Sequence, residues 1–249
     1  MRGMHLYVGF PIAATVPYSV ISNFVAPLPL VVSSDRLTNL VTVGNLLPPK
    51  NHRFLLQVLA EAKRAGRSLT LDVFGDGPCR KDLVRQATSL RLEDQVRFGG
   101  FRRDVREFLR RYRAYVHASY SESSSLAIIE AMAAGLPIAA GYLKPLAELC
   151  DDGIEVRFLP LDNATEAAAK LIDFLDNEAA LQKAAQAARD RYHRDFDADL
   201  CQPRRTAPPI LPFRDQPSPT EEGPVRVSPS PAYSGRGTVR ALSRTVARR

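Results

Sequence analysis

The sequence of 249 residues has no tryptophan and only three cysteines, Cys79, Cys150 and Cys201. This odd number, without any CxxC spacing, argues against a disulfide framework and a zinc site and fits a reducing compartment. No apolar run reaches the ~18 residues of a membrane-spanning helix. Prolines interrupt the apolar residues 5–21, and no clean cleavage site follows, so we interpret them as a linker or strand and predict a cytoplasmic protein.

Positive charge is concentrated at the carboxyl end. Residues 201–249 hold nine arginines against three acidic residues, which is six of the seven formal positive charges, and nine of the 19 prolines. Because no apolar period runs through them, we predict a disordered Pro/Arg-rich tail. Its arginines suggest peripheral contact with the inner face of a membrane, with a solvated tail as the alternative. The nearly neutral remainder indicates no specific nucleic-acid partner.

From residue 40 onward, short β-branched runs alternate with amphipathic helical stretches. We predict strands at 40–44, 69–75, 96–99, 115–120 and 137–141, and helices from Asn51 as cap to about 66, around 83–87, and over 105–111, 126–134, 164–175 and 178–192. This order is typical of an α/β fold with a doubly wound parallel sheet. Ligands of such sheets bind beyond the carboxyl ends of the strands, so we expect the loops there to form one crevice.

Two carboxylates, Glu122 and Glu130, lie eight residues apart around a predicted helix start. Backbone N–H groups near residues 124–126 would offer a positive dipole end to a phosphate. Glu122 would precede this anion site, and Glu130 would accept hydrogen bonds from ribose hydroxyls if it faces the crevice. The alternative on spacing alone is two glutamates on a solvated helix face.

Two other loops carry residue types suited to a phosphate ligand. Lys50 stands at a helix start after a strand, where it would be a point charge for a diphosphate, although a surface lysine is the alternative. Gly75 and Gly77 form a tight turn that would let the backbone approach a ligand, with an ordinary turn as the alternative.

The remaining titratable candidates are weaker. We interpret His117 as a packed core histidine, and His52 and His193 as surface positions on helices. Asp195 and Asp197 give the sequence DxD, which is the spelling of a known metal-binding motif. They follow a terminal helix rather than a strand, so we attribute that spelling to chance.

Taken in order, VGNLLPPKN, FGDGP, VRFGGF, YVHASYSES and IIEAMAAGLPIAA resemble glycosyltransferase family 4, a group of retaining GT-B enzymes, over roughly residues 40–195. The resemblance implies that residues 36–200 form the Rossmann-like carboxyl half of a GT-B fold, which binds a nucleoside-diphosphate sugar of the UDP or GDP type. Residues 1–35 would be a remnant of the amino-terminal domain or a linker. It further implies hexose transfer in polysaccharide biosynthesis, without metal or cofactor, and an acceptor-binding domain that a separate chain would supply.

Carried over by motif, the resemblance implies that Lys50 contacts the donor diphosphate, that Glu122 lies by the hexose as the catalytic residue, and that Glu130 holds the ribose. The loop at Gly100 and Phe101 would meet the base, and Ser125 and Leu126 would donate backbone N–H bonds to the phosphate. The other donor-binding positions are the loop residues Asn45, Gly75 and Gly77.

Two departures from the family pattern open alternatives. Asn45 stands where many members have an arginine, so one phosphate-binding charge is missing, and bulkier residues, including Lys144, replace a glycine-rich loop at 141–148. The alternatives are a nucleotide-sugar-binding module without turnover, and an interaction protein whose tail recruits it to anionic surfaces.

Overall fold

The computed structural model describes residues 25–28, 40–122 and 125–201. The predicted remnant at 1–35 and the predicted tail at 201–249 therefore lie outside the described residues, apart from 25–28 and 201. Within the described part of the chain, no helix combines the length and the apolarity needed to span a bilayer.

Strands and α-helices alternate along the described part of the chain up to the sixth helix, and two further helices follow. The strands are β1 (Leu40–Val43), β2 (Leu71–Phe74), β3 (Val96–Gly100), β4 (Ala114–His117), β5 (Ile138–Gly141) and β6 (Val156–Leu159). The helices are α1 (His52–Arg64), α2 (Arg80–Ser89), α3 (Val105–Phe108), α4 (Leu126–Ala133), α5 (Lys144–Leu149), α6 (Ala164–Asp176), α7 (Glu178–Asp195) and α8 (Ala198–Cys201).

The strands form one parallel sheet in the order β3-β2-β1-β4-β5-β6. Strand order therefore reverses between β1 and β4, where Leu40 pairs with Leu71 on one side and Ala114 on the other. This order confirms the predicted Rossmann-like doubly wound sheet and places the switch point between β1 and β4.

Each face of the sheet carries its own apolar core. Helices α1, α2 and α6 cover one face, and the predicted apolar face of α1 is buried there: Phe54, Leu55, Val58, Leu59 and Ala62. Helices α3, α4 and α7 cover the opposite face through residues such as Val105, Ile128 and Ala188. Burial on both faces explains why the strands are almost continuously apolar.

Several local predictions were wrong. The pattern missed α5 and β6, and the helix expected over 105–111 splits into α3 and a 3-10 turn at Leu109–Arg111. Asn51 precedes α1, but its side chain does not cap the helix. A capping side chain requires extended backbone, whereas Asn51 is left-handed, with φ 51°.

Residues 25–28 lie against α7, the residues that follow it, and α3. Val25 forms a parallel bridge with Asp197, and its carbonyl accepts a hydrogen bond of 2.7 Å from Tyr192 Oη. Arg106 donates to the Ala26 carbonyl at 2.6 Å. This short segment is thus joined both to α7 and to α3.

Candidate active site

The loops at the carboxyl edge of the sheet are bonded to one another. The Leu46 amide donates to Asp76 O at 2.9 Å, and the Gly75 amide donates to Gly100 O at 2.8 Å. On the other side, the Tyr120 amide donates to Pro49 O at 2.8 Å. The loops that follow β1, β2, β3 and β4 therefore converge, as the sequence predicted.

Gly75 and Gly77 are required by this convergence. Their φ angles are 137° and 157°, which side chains rarely allow. A Cβ on Gly75 would lie 1.9 Å from Gly44 O, and one on Gly77 would lie 2.6 Å from Leu46 O. The close approach that the glycines allow is to the neighbouring loop, and contact of this turn with a donor stays a prediction.

A buried carboxylate lies at the switch point. Lys50 Nζ donates to Glu122 Oε1 at 2.7 Å, and His117 Nε2 lies 2.9 Å from the same oxygen. Since a carboxylate only accepts hydrogen bonds, His117 Nε2 carries the proton. The Glu122 side chain is 6% exposed and that of Lys50 is 29% exposed. We call Lys50, His117 and Glu122 the edge cluster.

Hydrogen bonds keep the carboxyl of Glu122 ionised in spite of its burial. Burial alone would raise its pKa, but the hydrogen bonds with His117 and Lys50 outweigh this effect and lower the pKa to about 2. Glu122 is therefore a carboxylate throughout the physiological range. A fixed negative charge with a partly exposed lysine beside it suits recognition of a polar, charged ligand.

Both histidine interpretations near this cluster need correction. His52 is buried rather than on the surface, and burial, then the charges of His117 and Lys50, lower its pKa to about 4. His117 is buried as predicted, but it is bonded to Glu122 rather than only packed. The available signal was the position of His117 as the last residue of β4, five residues before Glu122.

Glu130 lies on α4 with Arg106 beside it. Arg106 Nε is 3.4 Å from Glu130 Oε1, and both side chains are partly exposed. Burial raises the pKa of the Glu130 carboxyl, and the charge of Arg106 opposes that rise. Because the same arginine also donates to Ala26 O, Arg106 joins Glu130 to the segment 25–28. Sequence reasoning missed this arginine.

The other predicted donor-binding residues lie along the same edge. Asn45, Phe101 and Leu126 are exposed, Gly100 ends β3 with φ 68°, and Ser125 is buried directly before α4. The backbone of Ser125 is extended and its hydroxyl does not cap α4. Of the predicted set, the described contacts join Lys50 to Glu122 through their side chains and Gly75 to Gly100 through the backbone. The individual donor contacts stay predictions.

The DxD spelling at the end of α7 has a local explanation. Asp197 is buried, and its carboxylate accepts hydrogen bonds from His193 Nδ1 and from the Asp199 amide, each 3.0 Å long. Over the described ranges, no group of three or more His, Cys, Asp or Glu side chains is arranged to hold a metal ion.

Comparison with known proteins gives the family. Residues 33–191 match the sequence family described as glycosyl transferases group 1. The chain belongs to this family. A glycogen synthase of Mycobacterium tuberculosis is 34% identical over 161 residues, which cover 64% of this chain and 39% of that relative. This chain of the glycosyl transferases group 1 family thus spans about two fifths of the length of that curated relative.

Solved structures show the same fold in other glycosyltransferases. Staphylococcus aureus TarM, solved with UDP, matches with a TM-score of 0.66 and 19% identity over 74% of this chain and 37% of TarM. The pneumococcal O-GlcNAc transferase GtfA, solved with UDP and GlcNAc, matches with a TM-score of 0.62 and 21% identity over 72% of this chain and 36% of GtfA. Both confirm the Rossmann-like parallel α/β fold of this glycosyl transferases group 1 chain.

Proposed function

We propose that this chain binds a nucleoside-diphosphate sugar, of the UDP or GDP type, at the edge cluster. In the proposed reaction, the bond between the sugar and the diphosphate breaks and the sugar passes, with retention, to an acceptor held by a separate acceptor-binding domain. The observation that carries the proposal is the ion pair between Lys50 and the buried Glu122 at the switch point. Ligands of doubly wound sheets bind at that point.

The charges of the edge cluster suit a departing diphosphate. Lys50 uses one of its three ammonium donors on Glu122, which leaves two for phosphate oxygens. The first backbone N–H groups of α4, from Leu126 onward, add the positive end of a helix dipole. Stabilisation of charge that develops on the leaving group lowers the barrier to transfer without a metal ion. Glu122 would hold hexose hydroxyls, and Glu130 the ribose.

The relatives support the donor class. TarM and GtfA were both solved with UDP, GtfA also with GlcNAc, and the mycobacterial relative is named a glycogen synthase. Membership of glycosyltransferase family 4, retention and the hexose itself are parts of this proposal that rest on the resemblance of the motifs.

A second candidate function is donor binding without turnover. Asn45 is neutral where the family pattern has an arginine, and Lys50 is already engaged by Glu122. Fewer free positive charges at the diphosphate would weaken leaving-group stabilisation more than nucleotide binding.

Release of nucleoside diphosphate from donor sugars separates the two functions. The full chain is incubated with UDP-glucose, UDP-N-acetylglucosamine and GDP-mannose, and free UDP or GDP is quantified by chromatography. Slow release, as transfer of the sugar to water, supports the transferase. Nucleotide binding by calorimetry without release supports the binding module, and the absence of both binding and release contradicts both functions.

A further inference from the structure

Arg106 lies between Glu130 and the segment 25–28. Its Nη2 donates to Ala26 O at 2.6 Å, and its Nε is 3.4 Å from Glu130 Oε1. The guanidinium group is planar, and its N–H groups keep fixed directions relative to one another. The bond to Ala26 therefore also sets the direction of the Nε–H group beside Glu130.

The backbone segment that fixes Arg106 is itself held on two sides. Tyr192 Oη, from α7, donates to Val25 O at 2.7 Å. Arg110, from the 3-10 turn after α3, donates to Leu28 O at 3.2 Å. Because the residues on either side of Ala26 are bonded to the domain, the carbonyl that anchors Arg106 has a defined position.

The Nε–H group of Arg106 has one carboxylate close to it. This nitrogen is closed to solvent and makes no hydrogen bond among the described residues. At 3.4 Å, Glu130 Oε1 is within the range of an ion pair but too far for a short hydrogen bond. A buried donor without an acceptor is unfavourable, and hydrogen bonds at active sites are often long until the ligand is bound. The arrangement therefore favours movement of the Glu130 carboxylate toward Arg106.

Glu130 lies near the switch point and is accessible. Tyr115 Oη donates to Val43 O, at the end of β1, at 3.1 Å. Burial raises the pKa of Tyr115, and the charges of Glu130 and Glu122 raise it further, so both carboxylates lie within electrostatic reach of this hydroxyl. The Glu130 side chain is 24% exposed. A ligand at the switch point can therefore meet the carboxylate that Arg106 faces from the other side.

We propose that Arg106 is a positioning residue for ribose recognition, which orients the Glu130 carboxylate toward the ribose hydroxyls. The inference rests on the proposed function, in which Glu130 holds the ribose. It makes the preference for a ribonucleotide depend on a side chain that does not itself touch the nucleotide.

The charge of Arg106 also favours the ionised form of Glu130. Burial raises the pKa of this carboxyl, and Arg106 opposes the rise. Only the ionised carboxylate accepts hydrogen bonds with both oxygens. Within the described part of the chain, the charged and titratable groups that face Glu130 are Arg106 from α3 and Tyr115 from β4.

The test measures how strongly the full chain prefers a ribonucleotide to its 2′,3′-dideoxy counterpart. The probe is UDP or GDP, whichever the parent binds more tightly by calorimetry. The parent should prefer the ribonucleotide by about tenfold or more, as expected for hydrogen bonds to a charged group. Arg106→Gln should reduce this preference by at least about threefold and leave the affinity for the dideoxy form unchanged. Arg111→Gln is the matched control, at an exposed arginine of the 3-10 turn, and should change neither value.

Three further measurements separate positioning from a structural role. In a Glu130→Gln background, Arg106→Gln should cause no further loss of preference, because the arginine acts through the carboxylate. Arg106→Lys keeps the charge and should restore part of the preference. As pH falls, Arg106→Gln should lose the preference at a higher pH than the parent, since its Glu130 carboxyl lacks the neighbouring positive charge. Titration of the diphosphate cancels, because both nucleotides carry it.

The outcomes distinguish this inference from the proposed function. A parent that binds neither UDP nor GDP at millimolar concentration contradicts the proposed function, and the role of Arg106 with it. Nucleotide binding with a ribose preference that Arg106→Gln leaves unchanged overturns the inference alone. The inference is also overturned if the loss persists in the Glu130→Gln background, or if the dideoxy form loses the same affinity, because Arg106 would then support the fold rather than the carboxylate.

Discussion

Two buried carboxylates in this sheet have very different surroundings. Asp72, 2% exposed, lies within β2 and accepts hydrogen bonds from Tyr112 Oη at 2.6 Å and from Arg97 Nε at 3.0 Å. Glu122 lies beyond the end of β4, where Lys50 and His117 share a single one of its oxygens. Each carboxylate thus has two close partners, but only the second is at the carboxyl edge.

The comparison shows that burial and pairing alone do not mark a functional carboxylate. Asp72, Arg97 and Tyr112, which we call the Asp72 cluster, join β2 to β3 and to the residue that follows the 3-10 turn at Leu109–Arg111. Both oxygens of Asp72 have partners within the protein. Glu122 uses one oxygen for both close partners, beside a lysine with unused donors. We therefore expect Asp72 to serve the stability of the fold and Glu122 to serve ligand binding.

The largest effect is expected for Glu122→Gln on turnover. Release of nucleoside diphosphate from the preferred donor should fall about 100- to 1000-fold, because one electrostatic group at a reaction centre contributes on that scale. Asp72→Asn is the matched control, and its turnover per folded molecule should stay close to that of the parent. Equal losses in the two variants would remove the distinction between the carboxylates.

Acid should reveal the stability that Glu122 contributes. Its pKa is lowered from 4.5 to about 2 in the folded protein. A carboxyl group whose pKa is lowered by folding stabilises the folded state at pH values above its pKa in the unfolded chain. This contribution to the free energy of unfolding is lost as pH falls from about 4.5 toward 2. It amounts to at most about 3 kcal/mol. Urea unfolding at several pH values should show the parent approaching Glu122→Gln as pH drops through this window; a constant difference would contradict the shift.

His52 should give a similar signature at higher pH. Burial lowers its pKa from 6.5 to about 4, so the folded state favours the neutral ring. The contribution of His52 to the free energy of unfolding is therefore complete above pH 6.5. It declines by at most about 3 kcal/mol as pH falls toward 4. His52→Gln removes this titration, so the free energy of unfolding of the variant should depend less on pH between 6.5 and 4. Parallel curves for parent and variant would show that His52 is accessible to water.

The smallest of these effects concerns the Asp72 cluster. Asp72→Asn keeps an acceptor for Tyr112 but removes the charge that faces Arg97, which is itself mostly exposed. The expected loss is about 1–3 kcal/mol in the free energy of unfolding, which lowers Tm by several degrees. Differential scanning calorimetry measures it, and Tyr112→Phe separates the contribution of the hydroxyl. An unchanged Tm in Asp72→Asn would contradict a contribution of this cluster to the stability of the fold.

The sequence predicted the fold well because its signals are local. Each strand from Leu40 to Gly141 is a short apolar run, and each neighbouring helix has an apolar face with a period near 3.6. The four-residue strand β6 was missed, and α5 was missed because Pro145 and its six-residue length leave little periodicity. The left-handed Asn51 was missed because an asparagine before a helix ordinarily indicates a cap.

The candidate site was predictable only where a motif carried it. Glu122 and Lys50 stand 72 residues apart, and nothing in either segment alone shows that they form a bond. His117 and His52 were misjudged because the burial of a histidine and its partners depend on how loops from separate strands meet. Arg106 was missed since its two partners, Ala26 and Glu130, come from distant parts of the chain.

The most direct test of the central claim compares UDP with uridine by calorimetry. If Lys50 binds the donor diphosphate, Lys50→Ala lowers the affinity for UDP by about 10- to 100-fold, as expected for a lost charge-assisted hydrogen bond, and leaves the affinity for uridine unchanged. Lys183→Ala, an exposed lysine of α7, should change neither value. An unchanged UDP affinity in Lys50→Ala would contradict the assignment of the edge cluster as the donor site.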